Sequence, residues 1–150
     1  MLPGVNPQED IIKLAVLERH KGTGHKGIGF LGGYGLKAGA VATSVAHDSH
    51  NLIVAGVSDR DMALAAETVR KAQGGIAVVK DGAVLGLLPL PIGGLMNPMA
   101  AEAVDEKLEE LKRLAAGLGV REGIDPFMTL AFVSLPVIPK LRLNTCGLID

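Results

Sequence analysis

Residues 76–88 have the sequence Ile-Ala-Val-Val-Lys-Asp-Gly-Ala-Val-Leu-Gly-Leu-Leu, which contains the clearest secondary-structure signal in the chain. Two short apolar runs flank Asp81-Gly82, a dipeptide that strongly favours a two-residue hairpin turn. The stretch therefore predicts two antiparallel strands, Ile76–Lys80 and Ala83–Leu88, joined by a tight turn.

A helix is predicted on the N-terminal side of this hairpin. Ser58 can accept a hydrogen bond from the amide of Asp61 in a Ser-x-x-Asp capping pattern, and Gly74-Gly75 end the helix. Two apolar runs before it, Val41–Ala46 and Leu52–Val57, predict buried strands. The apolar stripe of the helix consists of Met62, Ala65, Ala66, Val69 and Ala72.

A second helix and a last strand are predicted on the C-terminal side. Asn97 is the predicted N-cap, Pro98 occupies the first helical position, and Gly117 and Gly119 end the helix. The run Phe127–Leu135 predicts the final strand. The apolar stripe of this helix consists of Val104, Leu108, Leu111, Ala115 and Leu118.

The N-terminal part adds one predicted strand, Asp10–His20, and a glycine-rich stretch, Gly22–Gly39, for which we expect irregular backbone. From Leu52 onward the predicted order is strand, helix, strand, strand, helix, strand, as in the split βαβ units of ferredoxin-like folds. We therefore expect one α+β domain over residues 1–150. It should contain a mixed or largely antiparallel sheet, two main helices and a ferredoxin-like β-α-β-β-α-β core preceded by extra N-terminal strands.

Composition limits the class of partner. The 150 residues include 15 basic and 16 acidic side chains, giving a net charge of −1, and aromatic residues make up only 3%. Nucleic-acid binding favours a cationic face and stacking aromatics, so we expect no nucleic-acid partner. The single cysteine, Cys146, fits a reducing compartment. No leader peptide or uninterrupted apolar span is evident, so we expect a soluble, cytoplasmic protein without a membrane partner.

A cluster of five polar residues, His47-Asp48-Ser49-His50-Asn51, lies between the two apolar runs that precede the first helix. A turn needs only Gly, Asn, Asp or Ser, so two imidazoles exceed that requirement. One interpretation is an exposed polar hairpin loop. We prefer a substrate-facing cluster in which Asp48 fixes the tautomer of a neighbouring imidazole. A metal site at His47, Asp48 and His50 is the least favoured, because adjacent residues of an extended segment point to opposite faces.

Glu18-Arg19-His20 forms a second candidate cluster at the end of the first predicted strand. Strand alternation places Glu18 and His20 on the same side, where both could contact one ligand, although a solvated strand end is the plainer explanation. The glycine patterns beginning at Gly22 and Gly27 match G-x-G-x-x-G. No helix is predicted directly after them, so we reject a dinucleotide-binding site.

Several segments together resemble the C-terminal domain of adenine deaminases, and the resemblance covers nearly the whole chain. It rests on the order and spacing of Glu18-Arg19-His20 with Gly22-Thr23-Gly24, Ser44–Asn51, Gln73-Gly74-Gly75, Leu88–Ile92, Pro126–Leu130 and Leu135–Pro139.

The resemblance implies hydrolysis of adenine to hypoxanthine and ammonia in an enzyme that uses manganese, iron or zinc. Those metals are held by an amidohydrolase-type barrel that normally precedes this domain, and the barrel's His-x-His motif has no counterpart here. We therefore expect a fragment or separately encoded portion, with no catalytic residue and no complete metal site of its own. The isolated chain should not deaminate adenine.

The resemblance also implies which partners the chain has. We expect contact with the barrel domain, with adenine through that domain, and with further copies of the chain in a homo-oligomer. The residues expected to face substrate, or to support those that do, are Glu18, His20, His47, Asp48, Ser49, His50 and Asn51. The alternative is a structural or dimerisation module, docked through Leu88–Met96 and Phe127–Pro139, that makes no contact with substrate.

Overall fold

The computed structural model describes residues 11–17, 26–32, 34–44, 52–90, 101–120, 125–127, 142–144 and 147–149. Five of the six predicted strands and both predicted helices recur within these ranges, and β2, β7 and β8 are further strands. In chain order the elements are β1 (Ile11–Leu17), β2 (Lys26–Gly32), β3 (Ala40–Thr43), β4 (Leu52–Gly56), α1 (Asp59–Lys71), β5 (Gly75–Lys80), β6 (Ala83–Pro89), α2 (Ala101–Gly117), β7 (Arg142–Asn144) and β8 (Gly147–Ile149).

Six strands form one sheet in the order β2-β1-β4-β3-β5-β6, and each described pairing is antiparallel. The register aligns the ends of the strands in two rows, one at each end of the sheet. The first row, called the Leu52 end below, consists of Leu17, Lys26, Thr43, Leu52, Ile76 and Pro89. The opposite row, called the Gly56 end, consists of Gly32, Ala40, Gly56, Lys80 and Ala83.

The two helices cover opposite faces of the sheet. Side chains alternate along each strand, so one face carries mostly small residues and packs against α1, whereas the other carries larger ones and packs against α2. The central strands β3 and β4 are buried throughout, because both of their faces are covered. The α1 side includes Ala15, Ala40, Ala42, Ala77 and Val54; the α2 side includes Ile12, Leu14, Val41, Ile53 and Val78.

The β5–β6 hairpin has the predicted tight turn. Asp81 and Gly82 have φ angles of 52° and 76°, as a type I′ turn requires. The buried carboxylate of Asp61 accepts hydrogen bonds from the Asp81 N–H at 3.2 Å and the Gly82 N–H at 2.8 Å. The first turn of α1 is thereby joined to the hairpin at the Gly56 end.

The predicted caps of α1 are confirmed. The Ser58 Oγ accepts a hydrogen bond from the Asp61 N–H at 3.3 Å. At the other end, the Gln73 N–H donates to the Arg70 carbonyl and the Gly74 N–H to the Val69 carbonyl, which is the Schellman pattern. The predicted apolar stripe is also found, and its members Met62, Ala65 and Val69 are buried against the sheet.

The second helix packs against edge strand β6. Leu111 and Ala115 are buried against the sheet, and Val104 and Leu108 pack beside them, as the apolar stripe predicts. A Cβ at Gly86 would lie 2.6 Å from Leu111 Cδ2, so the glycine permits this close approach. Within the described part of the chain, neither helix combines the length and apolar character needed to cross a bilayer.

The α+β class is confirmed, but the ferredoxin-like core is not. Strands β4 and β5 are parallel to each other with β3 between them, so β4, α1 and β5 do form a split βαβ unit. A ferredoxin-like fold would keep both helices on one face. Here α1 and α2 lie on opposite faces, because the buried strands are apolar on both sides.

Two other predictions differ from the structure. The glycine-rich stretch contains a regular strand, β2, whose Gly27 and Gly29 lie opposite Val16 and Leu14 in the ladder with β1. Phe127, the predicted start of the last strand, is in a helical turn instead, and its N–H donates to Asp125 Oδ1 at 3.0 Å. The rest of that predicted strand and the predicted cap Asn97 lie outside the described residues.

Tyr34 joins this helical turn to the core. Its hydroxyl is buried and donates to the Pro126 carbonyl at 2.9 Å. Burial, together with the nearby Asp125 carboxylate, raises the pKa of Tyr34 far above its ordinary value. Asp125 also forms an ion pair with Lys112 of α2 at 3.2 Å, and this interaction raises the pKa of Lys112.

The raised pKa of Tyr34 makes the free energy of unfolding decrease in alkaline solution. Neutral Tyr34 is favoured in the folded state, so its contribution is complete below the unfolded pKa of about 10 and is lost as pH rises above it. Tyr34 is the single tyrosine of the chain, so tyrosinate absorbance reports on it alone. We expect that absorbance to appear only together with loss of native circular dichroism. Ionisation near pH 10 in a chain that keeps its native spectrum would contradict this account.

Candidate functional site

The Leu52 end gathers strand ends that are far apart in sequence. Leu17 at the end of β1 lies opposite both Lys26 and Leu52, and Thr43 at the end of β3 lies opposite Ile53 and Ile76. Neighbouring strands are separated by about 4.8 Å, so these chain positions form one short row. The connections between β1 and β2 and between β3 and β4 both leave from this row.

All seven site residues predicted from the sequence lie outside the described residues: Glu18, His20, His47, Asp48, Ser49, His50 and Asn51. The structure does describe the residues to which these segments attach. Leu17 directly precedes Glu18, and Leu52, its partner in the ladder, directly follows Asn51. The fold thus brings the attachment points of the two predicted clusters together, while the side-chain positions of the clusters stay predictions.

Ser44 fixes the exit of β3 at this end. It is fully buried, and its Oγ accepts a hydrogen bond from the Gly75 N–H at 2.8 Å. Its backbone N–H donates to the Gly75 carbonyl at 2.9 Å. Ser44, three residues before His47, therefore ties the end of β3 to the start of β5.

Gly75 allows β5 and β6 to meet closely at the same place. Its φ of 150° is rarely adopted by other residues, and a Cβ there would lie 2.4 Å from the Leu88 carbonyl oxygen. The Leu90 N–H donates to the Gly74 carbonyl at 2.9 Å. The described start of the apolar Leu88–Met96 segment is thus held at the Leu52 end, and residues 91–96 lie outside the described ranges.

A cleft of about 510 Å³ opens between the C-terminal half of α1 and the Leu52 end. Its apolar surface comes from both the sheet and the helix, and its polar side chains come from the last turns of the helix. We call it the α1 cleft. It is lined by Leu17, Leu52, Ala63, Ala66, Glu67, Val69, Arg70, Gln73 and Gly74.

An ion pair lies in the α1 cleft. Arg70 donates to both carboxylate oxygens of Glu67, with Nε 2.8 Å from Oε2. The hydrogen bond from the Arg70 guanidinium holds the pKa of the Glu67 carboxyl below its usual range, and the carboxylate in turn raises the pKa of Arg70. Both groups are solvent-exposed, so the pair orders the two side chains more than it stabilises the fold.

Gln73 has an unusual backbone conformation at the edge of the cleft. Its φ of 64° lies in the left-handed region, at the position after the helix where glycine is most common. Sequence reasoning missed Glu67, Arg70 and Gln73 as site candidates. Two features of the sequence could have identified them. Glu67 and Arg70 are opposite charges three residues apart in a predicted helix, and Gln73 directly precedes the helix-ending glycines.

The described residues do not fit a resident metal ion. Within those ranges, no three His, Cys, Asp or Glu side chains converge. The buried carboxylate of Asp61 is used at the Gly56 end, where it binds two turn amides. The less favoured metal site at His47, Asp48 and His50 lies outside the described residues.

Comparison with known proteins shows the family. The family model described as adenine deaminase C-terminal domain matches residues 3–150. This chain belongs to that family. The resemblance on which the sequence prediction rested is therefore confirmed.

The curated relatives of the chain are much longer than the chain itself. Adenine deaminase 2 of Carboxydothermus hydrogenoformans is 57% identical over 143 residues, which cover 95% of the chain and 25% of that relative. The adenine deaminase of Desulforamulus reducens is 51% identical, with coverages of 97% and 24%. That of Brucella abortus is 49% identical, with coverages of 98% and 26%. The chain spans about a quarter of the length of these curated relatives.

The contribution of the Ser44–Gly75 hydrogen bond to stability can be tested by mutation. Ser44→Ala leaves the buried Gly75 N–H without its acceptor, so we expect a loss of about 1–3 kcal/mol in the free energy of unfolding by urea. Thr68→Ala is the matched control. It removes a hydroxyl that donates to the Leu64 carbonyl within α1 but leaves no buried donor unpaired, so its effect should stay within about 0.5 kcal/mol. Equal losses of stability in the two variants would contradict a special role for the Ser44–Gly75 hydrogen bond.

Proposed function

We propose that this chain is the C-terminal domain of an adenine deaminase and acts with a catalytic portion that corresponds to the other three quarters of its relatives. The observation that carries the proposal is the family match over residues 3–150 together with relatives named adenine deaminase. The reaction is hydrolysis: water adds at C6 of adenine and the amino group leaves as ammonia, giving hypoxanthine. The proposal includes a cytoplasmic, homo-oligomeric enzyme, supported by the lone cysteine and by family resemblance.

The chemistry of this reaction assigns the reacting centre to the catalytic portion. Activating water at neutral pH requires a metal ion or a strong general base, and the leaving amine must be protonated. Manganese, iron or zinc would supply that activation when bound by the barrel of the family. Within the described ranges of this chain no matching donor set is present. We therefore assign no step through a metal to these residues.

The role proposed for this chain is to present polar residues to the purine from the Leu52 end. The attachment points Leu17 and Leu52 are ladder partners, which supports a common location for Glu18, His20 and the His47–Asn51 segment. Asn51 suits a purine edge because its amide offers both donors and an acceptor. His47 and His50 can donate or accept hydrogen bonds, Asp48 would fix an imidazole tautomer, and Ser49 adds a hydroxyl.

A second candidate function is a dimerisation or docking module without substrate contact. It is favoured by exposed apolar side chains on both edge strands of the sheet. Phe30 is 56% exposed on β2 and Val84 is 43% exposed on β6, with Ile28 and Leu85 nearby. Strand β6 also contains no charged residue, which natural edge strands often use to prevent association. Self-association of the isolated chain through β6, with the side chain of His50 fully exposed to solvent, would favour this candidate over the main proposal.

The proposed function is tested by combining this chain with the catalytic portion of the Carboxydothermus relative. We expect no ammonia release from adenine by this chain alone with added manganese, and faster release by the mixture than by the catalytic portion alone. His50→Ala and Asn51→Ala should each lower the rate of the mixture about tenfold or more, the effect of losing about 1.4 kcal/mol of transition-state binding. Glu106→Gln, on the exposed face of α2, is the matched control and should leave the rate unchanged.

Two outcomes would contradict this proposal. Robust turnover by the isolated chain would place the reacting centre within it. Unchanged kinetics of the His50 and Asn51 variants, with folding and association intact, would remove substrate contact and leave the module function.

A further inference from the structure

We propose that the α1 cleft is a binding site for a neutral, planar heteroaromatic base of the adenine class, recognised through the side-chain amide of Gln73. The proposed function assigns the reacting centre to the catalytic portion of the enzyme. The choice of adenine as ligand rests on that proposed function, whereas the shape and polarity of the ligand follow from the cleft itself.

The surface of the cleft suits the flat faces of an aromatic ring. Leu52 and Val69 are buried beneath it, and Leu17 and Ala66 are partly buried beside them, so most of the inner surface is aliphatic. The volume of about 510 Å³ falls within the range of small-molecule sites. A heteroaromatic base would cover this apolar surface and leave its polar edge toward the rim.

The charges at the rim favour a neutral ligand over a phosphorylated one. Arg70 is the one basic side chain among the described residues that line the cleft, and it donates to both oxygens of Glu67. Binding a phosphate there would require breaking this pair and would bring a second anion beside the Glu67 carboxylate. A base without a phosphate leaves the Glu67–Arg70 pair intact, so no ionic contact among the described lining residues has to be broken.

Gln73 supplies the recognition element. Its left-handed backbone is one that glycine adopts at less cost, and such outliers concentrate at binding sites. A glutamine amide can pair with adenine in two hydrogen bonds, accepting from the amino group and donating to the adjacent ring nitrogen N7. Glycine at this position would relax the backbone, so a glutamine that keeps this conformation at the rim of the cleft supports a binding role for its side chain.

Nuclear magnetic resonance titration of the full chain tests this inference with three probes. Adenine should cause saturable shifts in the Gln73 side-chain amide and in the Leu52 and Val69 methyl groups. Unsubstituted purine, which lacks the amino group, should bind more weakly, and adenosine monophosphate should bind no more tightly than adenine. Absence of saturable shifts with adenine would overturn the inference, including the case in which the chain's own side chains fill the cleft. Tighter binding of the monophosphate would also overturn it.

Gln73→Gly separates a ligand-binding role from a structural one. This variant should unfold at a higher urea concentration because the strained backbone is relaxed, yet bind adenine roughly tenfold more weakly because the amide contacts are lost. Lys71→Gln, an exposed change in the same turn but outside the cleft, should bind adenine normally. Unchanged adenine binding by Gln73→Gly would overturn the assignment.

The adenine titration and the ammonia-release assay can fail separately, so failure of the cleft inference can be told apart from failure of the proposed function. If this chain fails to bind adenine while its mixture with the catalytic portion releases ammonia faster, the cleft inference fails and the proposed function stands. If the chain binds adenine through Gln73 but does not raise ammonia release, the cleft inference stands and the proposed function fails.

Discussion

The antiparallel register of the six-stranded sheet is the constraint on which the rest of the structure depends. Each strand reverses the direction of the one before it in the ladder, so the connections that follow β1 and β3 leave from the same edge. A register shift of one residue would turn the apolar side chains of β3 and β4 toward the wrong helix. Because both faces of these strands are buried, the register is strongly specified. The register in turn fixes the relative positions of the strand ends at the Leu52 end.

The two ends of the sheet differ in the contacts they make. At the Gly56 end, Asp61 binds the hairpin turn, Ser58 caps α1, and Lys13 pairs with Asp59 at 3.0 Å. These contacts join the first turn of α1 to β1 and to the β5–β6 hairpin. At the Leu52 end, hydrogen bonds between Ser44 and Gly75 join β3 to β5, and the α1 cleft and the connections that follow β1 and β3 start beside them. Stabilising contacts are thus present at both ends, and the segments proposed for recognition attach at the Leu52 end.

Local signals in the sequence were enough for much of this fold, since Asp81-Gly82, the Ser58 cap and the stripe of α2 depend on residues close together in sequence. Strand β2 was missed because its glycines suggested irregular backbone, whereas pairing with β1 makes the strand regular. The placement of α1 and α2 on opposite faces depends on long-range packing.

The α1 cleft was missed because Glu67, Arg70 and Gln73 meet Leu17 and Leu52 only after folding. The histidine segment was found from its composition, and its role stays a prediction.

Hydrogen–deuterium exchange of this chain, with and without the catalytic portion of the Carboxydothermus relative, tests the central claim most directly. The claim is that the Leu52 end faces the catalytic portion. It predicts slower exchange on mixing at the amides around Leu17, Ser44, Leu52 and Leu90, with no change around Val57 and the Asp81-Gly82 turn. Protection confined to the edge strands β2 and β6, with none at the Leu52 end, would contradict it.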